Sequence, residues 1–230
     1  MNTVLIAASG TGSRVGREIP KQFIIVNGKP IFLYSVLAFQ NNQKVDNIVI
    51  ITKKEYFNQV DFWCKKYNVS KLKGIIEGGN TRQESILNGL NAIKEFSDDY
   101  DRILIHDAAR PLLTEKIIID NINALDFSKA VCTAIKASDT LYESEDGYRV
   151  NNMLNREIIY QAQTPQSFIY KVILDVHLKA KEEGFISSDD ASLAKHYDID
   201  VQLVEGNPLN FKITTSNDLD FFESIIENEN

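Results

Sequence analysis

The 230-residue chain is short of cysteine, histidine, proline and positive charge, and it has no long apolar run. Each shortage excludes something. Nowhere do about 18 apolar residues follow one another, so no membrane-spanning helix is expected. The two cysteines, Cys64 and Cys132, form no Cys-x-x-Cys pair. The three histidines, His106, His177 and His196, have no His-x-x-x-His spacing. A disulfide framework and a zinc site are therefore not expected, and a reducing compartment, the cytoplasm, is implied. Five prolines and eleven glycines are too few for a fibrous or low-complexity protein. The opening residues, Met1 to Ala8, have no basic segment before a short apolar run and read as a first strand, not a signal peptide. Lys and Arg number 25 against 32 Asp and Glu, a net charge of −7. Without a basic face, a sequence-independent grip on nucleic acid is not expected. Any phosphate must be held locally, by a few placed cations.

What is present is a repeating alternation. Apolar, β-branched runs recur at Thr3–Ala8, Asn47–Thr52, Gly74–Glu77, Arg102–His106, Ala130–Ile135 and Val201–Val204. Continuous apolar runs of this kind suit strands buried on both faces of a parallel sheet. Between them, Pro30–Gln40 and Gln83–Phe96 place apolar residues at helical spacing. The expected fold is therefore α/β: three layers, Rossmann-like, with a mostly parallel sheet in one domain spanning residues 1–230. One polar stretch, about residues 138–161, interrupts the pattern. It contains Asp146-Gly147 between strand-capable segments, a strong hairpin signal, and reads as a hairpin projecting from the body.

The first strand runs into Ala7-Ala8-Ser9-Gly10-Thr11-Gly12-Ser13-Arg14-Val15-Gly16. Glycines at the C-terminal end of a strand let backbone N–H groups approach phosphates. No Gly-Lys-Ser/Thr follows, and Gly16 falls one residue late for Gly-x-Gly-x-x-Gly. Pro20-Lys21-Gln22-Phe23 comes next, so Arg14 and Lys21 both border this loop. That is how a protein of net charge −7 could hold a triphosphate.

These residues resemble the opening of the CTP-dependent polyol-phosphate cytidylyltransferases. The resemblance continues, in order, through Gly78-Gly79-Asn80-Thr81-Arg82-Gln83-Glu84-Ser85, His106-Asp107-Ala108-Ala109-Arg110-Pro111, Asp139-Thr140 and Arg156. It ends with Gln163-Thr164-Pro165-Gln166, Asp189-Asp190-Ala191-Ser192 and Asn210-Phe211-Lys212-Ile213-Thr214. It implies a catalytic set of Arg14, Lys21, Lys212 and Arg156. It implies that Ala7, Ala8, Gly10, Gly12, Gly79, Asn80, Ser85, Asp107 and Ala108 contact the nucleotide. Arg110, Thr140, Arg156 and Lys212 would hold the polyol phosphate. Magnesium would be the cofactor, with Asp107 near it, and a homodimer would form in which each arm reaches its neighbour's site. Ser9 stands where the family usually has glycine, and Asn80 where aspartate is common. Asn155-Arg156 and Tyr160 are closer to enzymes that use ribitol 5-phosphate for teichoic acid or capsule. Ala109, Arg82–Ser85 and Asp189–Ser192 are closer to those that use methylerythritol 4-phosphate for isoprenoid precursors. The balance favours methylerythritol phosphate, with ribitol phosphate as the alternative.

The residue types suit such a reaction. A phosphate monoester attacking the α-phosphorus of CTP is mostly ionised near neutral pH, because its second pKa is about 6. The work is positioning and charge neutralisation, which calls for Arg, Lys and Gly and no nucleophile–base pair. A sugar-1-phosphate nucleotidyltransferase would share the Gly-Arg-Lys opening but not the arm. A nucleotide sensor would not need the second cation set at 110, 156 and 212. His106 precedes Asp107 on a strand end and should face the opposite way, as a structural residue. Cys64 and Cys132 read as packing residues, Asp189-Asp190 as either a helix N-cap with Ser192 in the first turn or a ligand contact, and Thr164 before Pro165 as extended chain.

Overall fold

Consecutive residues of the first strand point into different layers, and that alternation organises the molecule. The computed structural model describes residues 1–10 and 19–228. Its strands are β1 (Asn2–Ala7), β2 (Ile25–Val26), β3 (Lys29–Pro30), β4 (Asn47–Thr52), β5 (Leu72–Glu77), β6 (Arg102–Asp107), β7 (Ala130–Lys136), β8 (Leu141–Glu143), β9 (Asn152–Leu154), β10 (Tyr160–Ile169) and β11 (Val201–Glu205). The helices are α1 (Ile31–Gln40), α2 (Phe57–Lys66), α3 (Arg82–Ala92), α4 (Glu115–Ala124), α5 (Tyr170–Glu183), α6 (Asp190–His196) and α7 (Ser216–Asn228).

On one face of the sheet, Val4, Ile6, Ile48, Ile50 and Leu104 pack with Phe32, Val36 and Phe39 of α1 and Ile118 and Ile122 of α4. On the other, Leu5, Val49, Ile51, Ile103 and Ile105 pack with Ile86 and Leu90 of α3 and Ile173 of α5. Strand side chains alternate in direction, so an unbroken apolar run feeds two cores at once. A third cluster seats α7, through Leu219, Phe222 and Ile226, on Ile24, Val26, Ile31 and Ile213. Among the described residues no helix is long and apolar enough to cross a membrane.

The seven-stranded sheet runs β11-β7-β10-β6-β1-β4-β5. All neighbours are parallel except β10, which is antiparallel to both β6 and β7. The sequence reading had no place for this strand. Residues 160–169 carry Gln161, Gln163, Thr164, Gln166 and Ser167 and so lack the apolar run that marks the others. Their polar groups are satisfied inside the fold: Ser167 Oγ donates to Asn121 Oδ1, and Gln166 Nε2 to Asp189 Oδ2. The Thr164–Pro165 peptide bond is cis and lies where the β10–β7 register shifts.

β8 and β9 pair as a separate antiparallel ribbon, Leu141 against Leu154 and Glu143 against Asn152. The turn differs from the two-residue form that Asp146-Gly147 suggests. Eight residues, 144–151, connect the strands. Asp146 Oδ1 accepts from the amides of Tyr148 and Arg149, and Gly147, at φ 74°, donates to Ser144 Oγ. The Asp-Gly pair thus closes a small turn within a wider loop. Helix α3 also ends earlier than its apolar spacing suggests, at Ala92 instead of Phe96.

Candidate active site

The C-terminal ends of β1, β4, β5 and β6 open into one cleft of about 560 Å³. Topology puts it there. The chain leaves β1 toward β4 and β5 on one side and returns to β6 on the other, so the connections diverge and leave a crevice. Ala7 ends β1 and Ser9 and Gly10 follow it, Lys53 follows β4, and Asp107 to Ala109 end and follow β6. Gly79 to Thr81 lead into α3, which Arg82 begins, while Lys21, Gln22, Lys212 and Thr214 close the remaining wall. Among the described residues, Lys21, Lys53, Arg82 and Lys212 set four cations there against the carboxylate of Asp107.

The loop after β1 is held from behind by a buried amide. Gln22 Nε2 donates to the carbonyls of Ala8 at 2.7 Å and Gly10 at 2.8 Å, and Thr52 Oγ1 donates to Ala8 at 3.1 Å. Lys21, one residue earlier, donates from Nζ to the Ile213 carbonyl, which ties this corner to the segment carrying Lys212. Gly12 and Arg14 lie outside the described residues.

The opposite wall is shaped by the first turn of α3. Thr81 caps it by accepting from Glu84 N at 3.0 Å, and Glu84 Oε2 accepts from Asn80 N at 2.7 Å. This is the Thr-x-x-Glu spacing of a helix start. Ser85 lies beneath, buried, donating to the Thr81 carbonyl and accepting from Gly79 N and Ser9 Oγ. Its hydroxyl thus donates once and accepts twice within the protein, and Ser85 supports the wall from behind the described residues that line the cleft. A Cβ on Gly79 would sit 2.4 Å from Glu84 Cβ, and one on Gly78 2.7 Å from Ser9 Cβ. Only glycine permits so close an approach.

Asp107 is the electrostatic centre. Its Oδ1 accepts from Arg82 Nε at 3.2 Å, and its Oδ2 lies 2.7 Å from Lys212 Nζ. Burial alone would raise its pKa. Arg82 and then Lys212, with Arg110 behind them, instead hold the carboxyl well below the usual carboxylate range. Arg82 in turn meets buried Asp190 at 2.7 Å. His106, on the other side of β6, is fully buried, which pushes its pKa down to about 4. The imidazole is therefore neutral near pH 7. Its Nε2 faces the Arg110 carbonyl at 3.1 Å and must carry the hydrogen. Nδ1 then accepts from Thr164 Oγ1, which itself accepts from the Asp107 amide. His106 is structural, as its strand position suggests.

Ala7, Gly10, Lys21, Gly79, Asn80, Asp107, Ala108 and Lys212 all line the cleft. Ala8 is buried behind it. Arg110 stands off it, donating to the carbonyls of Asn210 at 2.8 Å and Ala162 at 3.4 Å. Thr140 and Arg156 are exposed beside the ribbon, and neither is among the described residues of this cleft. Arg82, Lys53 and Gln22 are site residues to which the sequence assigns no role of their own, although Arg82 and Gln22 stand in its motifs. A cation at the first position of a Thr-x-x-Glu helix start, and a lysine directly after a buried strand, were the available signals.

For a divalent cation the donor set is sparse. Among the described residues no cluster of three or more His, Cys, Asp or Glu could hold a metal. One carboxylate among four cations fits an ion carried mainly by phosphate oxygens, because magnesium usually keeps few protein ligands.

Residues 2–228 match the family model described as 2-C-methyl-D-erythritol 4-phosphate cytidylyltransferase. A curated protein of that name from Clostridium novyi is 41% identical over 99% of this chain and 97% of its own length. One from Clostridium botulinum (strain Okra) is 38% identical over 98% and 97%. Among solved structures, the 4-diphosphocytidyl-2C-methyl-D-erythritol synthase of Anaerococcus prevotii superposes with a TM-score of 0.86 at 28% identity, covering 99% of this chain and 98% of that one. The Francisella tularensis 2-C-methyl-D-erythritol 4-phosphate cytidylyltransferase gives 0.82 at 30% identity, covering 97% and 98%.

Proposed function

The chain belongs to the 2-C-methyl-D-erythritol 4-phosphate cytidylyltransferase family, and from that premise we propose how its cleft carries out the transfer. The enzyme moves CMP from CTP to 2-C-methyl-D-erythritol 4-phosphate, giving 4-CDP-2-C-methyl-D-erythritol and pyrophosphate in non-mevalonate isoprenoid synthesis. Ribitol 5-phosphate, the acceptor that the arm residues had kept open, is not favoured by this family match.

In the proposed reaction a phosphate oxygen of the polyol attacks the α-phosphorus of CTP, and the bond to the pyrophosphate oxygen breaks. No general base is required, because the nucleophile is already ionised. Two anions must be brought together, and charge develops on the phosphoryl oxygens as the bond to the leaving group breaks. Preorganised cations in a cleft answer that need. Gly10, Gly12, Arg14 and Lys21 take the triphosphate. Ala7, Gly79 and Asn80 contact base and ribose, with Ser85 fixing the Gly79 backbone from below. Asp107 and Ala108 lie over the nucleotide, and Lys212 faces the incoming phosphate with Arg110 behind it. Magnesium near Asp107, in indirect contact with it, would neutralise part of the triphosphate charge. Thr140 and Arg156 complete the site from the arm of a second copy. Cytoplasmic residence suits the two free, buried cysteines, whose thiols burial pushes up to about 12.

The observation that carries this reading is the concentration of four cations, among the described residues, around one glycine-lined cleft in a chain of net charge −7. Pyrophosphate release with CTP, UTP and ATP, each against methylerythritol 4-phosphate and ribitol 5-phosphate, tests it. Turnover should require CTP and methylerythritol 4-phosphate. Faster release with ribitol 5-phosphate would overturn the choice of acceptor.

A further inference from the structure

A line of alternating charges runs from the cleft into the protein, and nothing in the transfer chemistry above uses its inner end. Lys212 pairs with Asp107 Oδ2 at 2.7 Å, and Asp107 Oδ1 with Arg82 Nε at 3.2 Å. Arg82 Nη1 then pairs with Asp190 Oδ2 at 2.7 Å, and Asp190 Oδ1 accepts from His177 Nε2 at 3.1 Å. The Asp190 side chain is 2% exposed and that of His177 0%. Asp190 is the first residue of α6, whose cap is its neighbour Asp189, accepting from Ser192 N at 2.7 Å. Capping therefore does not account for Asp190. Stability accounts for it poorly too, because taking two charges out of water costs about what their attraction returns.

Orientation does account for it. A guanidinium is a rigid planar fork, and one carboxylate hydrogen-bonded at Nε with a second in close ion contact at Nη1 restricts how it can turn. Were Asp190 neutral, the fork could turn to take both oxygens of Asp107, and Lys212 would lose its partner at Oδ2. We propose that Asp190 and His177 are positioning residues for CMP transfer, acting through Arg82 and Asp107 to hold the Lys212 ammonium in the cleft. This inference rests on the reading of the cleft as the transfer site with Lys212 at the acceptor phosphate.

The test compares Lys212→Ala, Asp190→Asn, their double variant, His177→Leu and His177→Gln. Each is measured for kcat and KM with CTP and methylerythritol 4-phosphate, and for CTP binding by calorimetry. Misplacing one cationic group should lower kcat on the order of 100-fold in Asp190→Asn, with CTP affinity changed by less than about twofold. Because the effect runs through Lys212, the double variant should be no slower than Lys212→Ala alone. His177→Leu should lower kcat in the same direction, and His177→Gln, whose amide can still donate to Asp190, should recover most of it. If Asp190→Asn does not fold, His177→Leu with and without Lys212→Ala carries the comparison. Wild-type kcat in Asp190→Asn, or losses that multiply in the double variant, would overturn the inference while leaving the transfer site intact. Wild-type kcat in Lys212→Ala would overturn the assignment of Lys212 and this inference with it.

Discussion

Lys21→Ala and Arg156→Ala should each abolish turnover alone and restore it when mixed. Lys21 lines the cleft, whereas Arg156 lies beside the ribbon, its side chain 54% exposed and its Nη1 donating to the Ser138 carbonyl at 3.1 Å. The ribbon and its flanks also leave Tyr148, Met153 and Ile158 at 94%, 67% and 72% exposure, an unusual apolar display for so polar a segment. A two-fold dimer with exchanged arms would cover these side chains and carry each Arg156 into its neighbour's cleft. Loss of either cation should cost about 100-fold or more in kcat. Random exchange of equal amounts makes half of the dimers mixed. In each mixed dimer one site bears both defects and the other bears neither. The mixture should therefore recover roughly a quarter of wild-type activity. Native mass spectrometry would count the mixed dimers, and pyrophosphate release would report the sites. Inactivity in a mixture shown to contain mixed dimers would refute the exchanged arm.

Lys21→Ala should lose turnover about 100-fold or more while its thermal midpoint, followed by circular dichroism, stays close to that of the parent. Gly79→Ala should weaken CTP binding and destabilise the fold by about 1–3 kcal/mol, because the new Cβ meets Glu84 Cβ at 2.4 Å; calorimetry and urea unfolding would show both. Asp107 and Asp190 have pKa values held below their unfolded values, so the unfolded chain takes up protons first as pH falls. The stability they contribute is complete above about pH 5 and is lost progressively below it, and thermal midpoints across pH 3–7 should fall less steeply in Asp107→Asn than in the parent. Cys64 and Cys132, their pKa values pushed up to about 12 by burial, should resist iodoacetamide in the native protein at pH 8 and react once it is unfolded in urea, as mass spectrometry would record.

The sequence alone was enough for the layering and for most of the cleft. The runs at Thr3–Ala8 and Asn47–Thr52 could be buried only from both sides, and a glycine-rich turn after such a strand, followed by Lys21, marks an anion site in an acidic chain. These are local signals, carried by residues close together in the chain. Strand β10 escaped notice because its side chains are polar, and they are tolerated inside only because Asn121 and Asp189, distant in sequence, supply their partners. Arg82 belongs to a motif visible in the sequence, but its own role is not, for the same reason. A surface helix start and a cleft cation look alike until folding brings Asp107 and Asp190 to its two edges, 25 and 108 positions along the chain. Ser85, which the family resemblance places at the nucleotide, is also tied to Thr81, Gly79 and Ser9, a set of partners that only the tertiary arrangement decides. Periodicity declares which face of an element is buried, whereas hydrogen bonds and charge pairs between distant residues depend on how those faces meet in three dimensions.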